Sequence, residues 1–277
     1  MATIIICTNF SPASRNALAY ISGLAAEKGR LEKLEFVLLH LFELPVSYAG
    51  EGIALTTIPS EISLAEEQLD QEYNWIKNLY PGLDIKPRMV TGTLTIGLEE
   101  QIEELSPSLV IMGAGGRYSD LLSWDQEVLT LFRELTVPVF VIPKHITYTK
   151  LDNIAYSCNV NNVARIPFNL IKGLVQYTHA KIHVLLVRTP GGEKNTATRK
   201  NEQFVMENLD EVNAEYHIVS EKSLVEEVSH FVNENNIDLL LVTPRKFGIW
   251  ETLFHKSTSR ALVRLDAIPV LALREEG

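Results

Sequence analysis

Four residues just past an apolar run, Gly113-Ala114-Gly115-Gly116, have the composition of a turn that wraps a phosphate. Glycine tolerates positive φ and lets backbone approach a ligand, so amide N–H groups and the next helix start can face an anion. The same segment then places Trp124, Asp125 and Glu127 where an anion site needs small or donating groups. A tight turn after a strand demands glycine equally, so the glycines alone leave phosphate contact and simple chain reversal both open. A second loop within Leu239–Leu262 has the opposite mix. Arg245, Lys246, His255 and Lys256 are basic, and Ser257 and Thr258 offer hydroxyls, but Pro244 lacks an amide donor and Phe247 blocks close backbone approach. The alternatives there are a small anion site and a solvated basic patch.

Other chemistry is harder to find. The chain has no Walker A lysine loop, no G-x-G-x-x-G and no G-x-S-x-G elbow. Its seven histidines show no metal-ligand spacing with carboxylates or cysteines, and His179 and His183 straddle a helix end and a strand. Glu99, Glu100, Glu103 and Glu104 fall on the polar face of an amphipathic helix and read as solvated surface. Cys7 and Cys158 end apolar runs and read as buried, reduced thiols. The expectation is a protein that is not an enzyme, with no catalytic residue and no metal.

A formal charge of −10 over 277 residues argues against a nucleic-acid partner. No apolar run reaches the roughly 18 residues that span a bilayer, and MATIIICTNF reads as a first strand rather than a secretory leader. A cytoplasmic protein away from the membrane is expected.

The elements that would position these groups come twice. VPVFVIP (Val137–Pro143) is echoed by IPVLALR (Ile268–Arg274), and IIICTN (Ile4–Asn9) by IAYSCN (Ile154–Asn159). VLLH (Val37–His40) matches VLLV (Val184–Val187), and a gapless overlay sets Leu109 on Leu240 and Gly113 on Pro244. In each copy, Val/Ile/Leu runs alternate with helical periodicity, the pattern of a parallel sheet covered on both faces. The first copy predicts strands at 3–8, 35–41, 84–91, 109–112 and 139–142, with helices near 14–28, 60–79, 94–105 and 120–134. The second predicts strands at 153–157, 181–187, 214–219, 238–243 and 270–273, with helices near 165–176, 199–210 and 223–234. Ser11-Pro12 reads as a helix start, and Thr93 as a further cap. The expected fold is α/β, two tandem five-stranded parallel-sheet domains of Rossmann-like, three-layer α/β/α build. They cover residues 1–145 and 151–277, with Lys144–Asp152 as the junction.

CTNFSPASRNAL (Cys7–Leu18), LLHLFE (Leu38–Glu43), VIMGAGG and TVPVFVIP together resemble the universal stress protein family in its tandem form, over nearly the whole chain. The resemblance implies an adenine nucleotide alpha hydrolase-like fold and a stress-response binding role, with ATP or AMP as ligand. It maps the nucleotide site of the first domain onto Thr8, Asn9, Leu41, Met112, Gly113, Gly116, Gln126 and Glu127. The family fingerprint wants Gly-Ser or Gly-Thr where Gln126-Glu127 stand, and an Asp where Asn9 stands. A carboxylate about 4 Å from a phosphate charge costs roughly 4 kcal/mol at an effective dielectric of 20, about a thousandfold in affinity. Polyphosphate binding is therefore expected to be weak or vestigial, with Arg245, Lys246, Ser257 and Thr258 as a second anion site in the other copy. The Ser-Gly-Gly-x-Asp-Ser and His-x-Gly-His motifs of related enzymes are missing. The resemblance also implies that the last strands of the two domains pair within the chain, which would cover two apolar edges. Further pairing, as a homodimer or with a protein partner, would use the surfaces around Trp124 and Trp250. The rival readings are a partner-binding scaffold without nucleotide and an ATP-hydrolysing protein.

Overall fold

A computed structural model describes residues 2–29, 34–43, 58–114, 131, 134–161, 163–189, 195–243 and 268–274. The chain divides into two compact units that change over at Tyr148–Thr149, residues 134–138 grouping with the second.

In the first unit the elements are β1 (Ala2–Thr8), α1 (Pro12–Glu27), β2 (Leu34–Phe42), α2 (Ile58–Leu79), β3 (Ile85–Thr91), α3 (Leu94–Leu105), β4 (Leu109–Ala114) and β5 (Val139–Pro143). The strands lie in the order β3-β2-β1-β4-β5. Their described pairings are all parallel, with Ile4 opposite Phe36 on one side and Leu109 on the other. Ile5, Ile6, Leu38, Leu39, Val110 and Ile111 are fully or almost fully buried, as expected of strands covered on both faces. Ser11 caps α1, its hydroxyl accepting from the Ser14 N–H, and Pro12 supplies the first helical residue. Thr93 occupies the cap position of α3 but makes no side-chain bond there. Asn16 ties α1 to the segment after β5 by donating to the carbonyls of Pro143 (2.9 Å) and Ile146 (2.8 Å).

The second unit repeats the plan with β6 (Asn153–Asn159), α4 (Phe168–Thr178), β7 (Lys181–Arg188), α5 (Thr196–Leu209), β8 (Glu215–Ser220), α6 (Leu224–Glu234), β9 (Leu239–Val242) and β10 (Val270–Ala272). Its order is β10-β9-β6-β7-β8, the same winding as the first unit, again parallel throughout the described pairings. A short 3-10 turn, Val163–Arg165, precedes α4. No described helix is long and apolar enough to cross a membrane.

Strand register corrects one part of the sequence overlay. Asn9 and Asn159 each accept from the backbone N–H two residues on, Ser11 at 3.2 Å and Asn161 at 2.9 Å, which anchors the two copies to one another. Ile4 then falls on Ile154, and their partners in the next strand are Leu109 and Leu239. Leu109 thus corresponds to Leu239, and Gly113 to Thr243 rather than Pro244. A gapless overlay missed this because a sequence of interchangeable Leu and Val residues does not reveal a one-residue slip.

Gly113 has a packing reason of its own. A Cβ there would lie 2.2 Å from the carbonyl carbon and oxygen of Ala13 and 2.5 Å from the Ser14 nitrogen. The first turn of α1 rests directly on the backbone of β4. Gly113→Ala is therefore expected to cost about 3 kcal/mol in urea unfolding; a loss below about 1 kcal/mol would show that the helix start can simply move aside.

Candidate functional site

Open parallel sheets offer their crevice at the carboxyl ends of the strands, where the winding reverses. In the first unit that point lies between β1 and β4. Thr8, the last residue of β1, is buried, and its hydroxyl sits 2.6 Å from Glu72 Oε2. The Thr8 oxygen also accepts from the Phe10 N–H at 3.0 Å. Phe10 adopts a left-handed conformation (φ 62°), uncommon for a bulky residue, and this turns its ring onto His40 at 4.2 Å between centroids. His40 stands opposite Thr8 in the register, and its Nδ1 lies 2.9 Å from the Thr8 carbonyl, so that nitrogen carries the proton. Burial holds the His40 pKa below its ordinary value, against the opposing pull of that carbonyl.

Glu72 belongs to the inward stripe of α2, Ala65, Leu69, Glu72 and Ile76, and is 1% exposed. Among the described residues its Oε1 has no hydrogen-bond partner. The cation beside it among the described residues is Arg15, whose Nε stands 3.7 Å away while its guanidinium, half-exposed, lies 5.1 Å from the Trp75 ring centroid. Desolvation therefore prevails, and the Glu72 pKa is raised despite the Thr8 hydroxyl and Arg15. The second unit also buries a carboxylate in the helix after its second strand, but there Arg188 grips both oxygens of Glu202, at 2.5 and 2.7 Å.

The residues expected from the sequence fall as follows. Thr8 holds Glu72. The Asn9 side-chain oxygen is taken by the Ser11 N–H, and Leu41 packs on Gly97 of α3, where an added Cβ would lie 2.6 Å from Leu41 Cδ2. Met112 is fully buried, and Gly113 is covered by α1. Gly116, Gln126 and Glu127 lie outside the described residues, as do Arg245, Lys246, Ser257 and Thr258. Thr8 and Gly113 both meet Ser14, so the structure does gather the two ends of the expected site. Sequence reading missed Glu72, Phe10 and His40. The available signal was the helical period of α2, in which a glutamate occupies an apolar position. Both thiols are buried as expected, and burial pushes that of Cys7 up to about 12.

No protein-family profile matches the sequence, and no curated protein matches it. Among solved structures, the chain is similar to a universal stress protein from Archaeoglobus fulgidus DSM 4304, at 19% identity and a TM-score of 0.69, over 99% of this chain and 96% of that one. It is also similar to the protein PA1789 of Pseudomonas aeruginosa PAO1, described as functionally unknown, at 12% identity and a TM-score of 0.54, over 99% and 93%. A third likeness is to the cytoplasmic domain of a prokaryotic cation chloride cotransporter, at 13% identity and a TM-score of 0.53, over 99% and 95%. These likenesses establish the tandem α/β fold of the universal stress proteins over nearly the full chain.

Because its folded pKa stands above its unfolded one, Glu72 favours folding in its protonated form. Its penalty is absent below about pH 4 and grows as pH rises through the folded value. Glu72→Gln should accordingly raise stability at pH 7 by about 1–3 kcal/mol, and the gain should vanish near pH 4. A variant less stable than the wild type at pH 7 would show that the Arg15 pair outweighs burial.

Proposed function

We propose that the chain is a non-catalytic stress-response binding module whose adenine-nucleotide binding is weak or vestigial. The observation that carries this reading is the closure at Gly113. Gly113, which the sequence reading placed in the phosphate-type turn, is a residue of β4, and α1 backbone occupies the side where its Cβ would lie, which leaves no room there for a phosphate. The surrounding groups support it. The Asn9 oxygen and the Thr8 hydroxyl and carbonyl are each engaged within the chain, and the Phe10 ring lies over His40. Glu72 Oε1, which lacks a hydrogen bond among the described residues, would repel an anion and favour a ligand that brings an N–H donor. Glu127, where the fingerprint wants a hydroxyl, works in the same direction.

Calorimetric titration with ATP, ADP and AMP, each with and without magnesium, tests the proposal. Dissociation constants in the millimolar range or weaker are expected, with ATP turnover at background. Glu127→Ser is expected to tighten ATP binding at least tenfold, which corresponds to about 1.4 kcal/mol. Micromolar ATP affinity in the wild type would overturn the reading in favour of a true nucleotide protein, and magnesium-dependent turnover in favour of an enzyme. No heat with any nucleotide, in either the wild type or Glu127→Ser, would leave the partner-binding scaffold in its place.

A further inference from the structure

The second unit brings together three side chains that lie far apart in the sequence. His183 of β7 stands opposite Glu215 of β8, and His217 follows two residues on. Alternation along a strand sends Glu215 and His217 to one face, and parallel pairing puts His183 on that same face. The Nδ1 of His183 lies 3.3 Å from the Nε2 of His217 and 3.5 Å from Glu215 Oε2. One ligand atom from each of the three residues falls within 4.8 Å of the other two.

We propose that His183, Glu215 and His217 form a site for a divalent transition cation, zinc by the chemistry of the donors, with its remaining position open to solvent. Donors bound at 2.0–2.2 Å to a tetrahedral ion stand about 3.3–3.5 Å apart. The two printed separations have this spacing, so the imidazoles need little movement to receive an ion. Two imidazoles with one carboxylate make a borderline donor set suited to zinc and its neighbours rather than to magnesium or calcium, which take oxygen ligands.

The surroundings hold the donors in place. His183 is buried, and among the described residues its Nε2 has no hydrogen-bond partner, while its Nδ1 faces the cluster. Phe231 of α6 packs against both imidazoles, at 5.5 Å from His183 and 4.5 Å from His217 between centroids. Lys181 bonds Glu215 through Oε1 at 2.7 Å, which fixes the carboxylate and leaves Oε2 toward the histidines. Glu215 is exposed and His217 partly so, which gives an ion a way in. β8 is an edge strand of this unit, and an ion would clip it to β7.

The test titrates the chelator-stripped full chain with zinc chloride and, separately, with cobalt(II) as a spectroscopic probe. The wild type should bind one equivalent at micromolar or tighter affinity, with a rise in melting temperature and visible d–d bands free of thiolate charge transfer. His217→Gln and Glu215→Gln, both at positions open to solvent, should each weaken binding at least about tenfold. His230→Gln serves as the control, because His230 pairs with Glu234 on the exposed side of α6 and should change nothing. Wild-type affinity weaker than about 1 mM, equal binding by His217→Gln, or loss of binding in His230→Gln would each overturn the site.

Discussion

The contact on which the first unit depends is the seating of α1 on the backbone of β4 at Gly113. The start of α1 is pressed against protein there, and the amides of Ser14 and Arg15 are bonded internally. The Ser14 N–H goes to the Ser11 hydroxyl and the Arg15 N–H to the Ser11 carbonyl. Once α1 lies there, the chain leaving β1 must turn sharply, and the left-handed Phe10 is how it does so. That turn sets the Phe10 ring over His40 and the Thr8 hydroxyl toward α2. The furnishing of the crevice thus follows from one close approach. In the second unit Thr243 stands at the matching position, its hydroxyl 3.1 Å from that of Tyr156. A 3-10 turn precedes α4 there. The winding is common to both copies, but the filling of the reversal point is not.

Two buried carboxylates show how the copies differ in their electrostatics. Glu202 is gripped by the fork of Arg188, a geometry in which both oxygens are satisfied and the charge is neutralised. Glu72 has one hydroxyl and a half-exposed arginine that stands off at 3.7 Å. Removing a carboxylate from water without a full set of donors is unfavourable, and such groups occur where a ligand or a conformational change can complete them. The first copy therefore keeps a buried polar group whose hydrogen bonding is incomplete among the described residues. What it retains suits a hydrogen-bond donor rather than an anion.

Much of the fold was legible because long Val/Ile/Leu runs alternating with helical periodicity have few other solutions. The strands β1, β2, β7 and β9 and the helices α2, α3 and α6 lie within a few residues of where the pattern puts them. Register was less legible. Leu239, Leu240 and Leu241 are interchangeable to the eye, so Pro244 seemed to face Gly113 until backbone pairing gave that place to Thr243. Thr8 and Gly113, which only the family resemblance placed together, do both meet Ser14. Glu72 comes from a helix 64 residues beyond Thr8, and His183 meets His217 across 34 residues. No spacing rule along one segment detects such pairs. A polar residue inside an apolar stripe does mark one of them, and histidines in phase on neighbouring strands mark the other.

The position of the histidine cluster is itself informative. Sites at strand ends are built from loops, whose geometry a single substitution or insertion can change. His183, Glu215 and His217 instead stand on paired strands, and the ladder from His183–Glu215 to Arg188–Ser220 fixes their separations. Donors held by backbone hydrogen bonds need not reorganise to receive an ion, so less of the binding energy is lost to ordering them. Their face of the sheet is also independent of the reversal point, where the glycine turn has its counterpart. Such a fold can in this way carry chemistry on the flat of its sheet, where changes in the loops leave the spacing of the donors untouched.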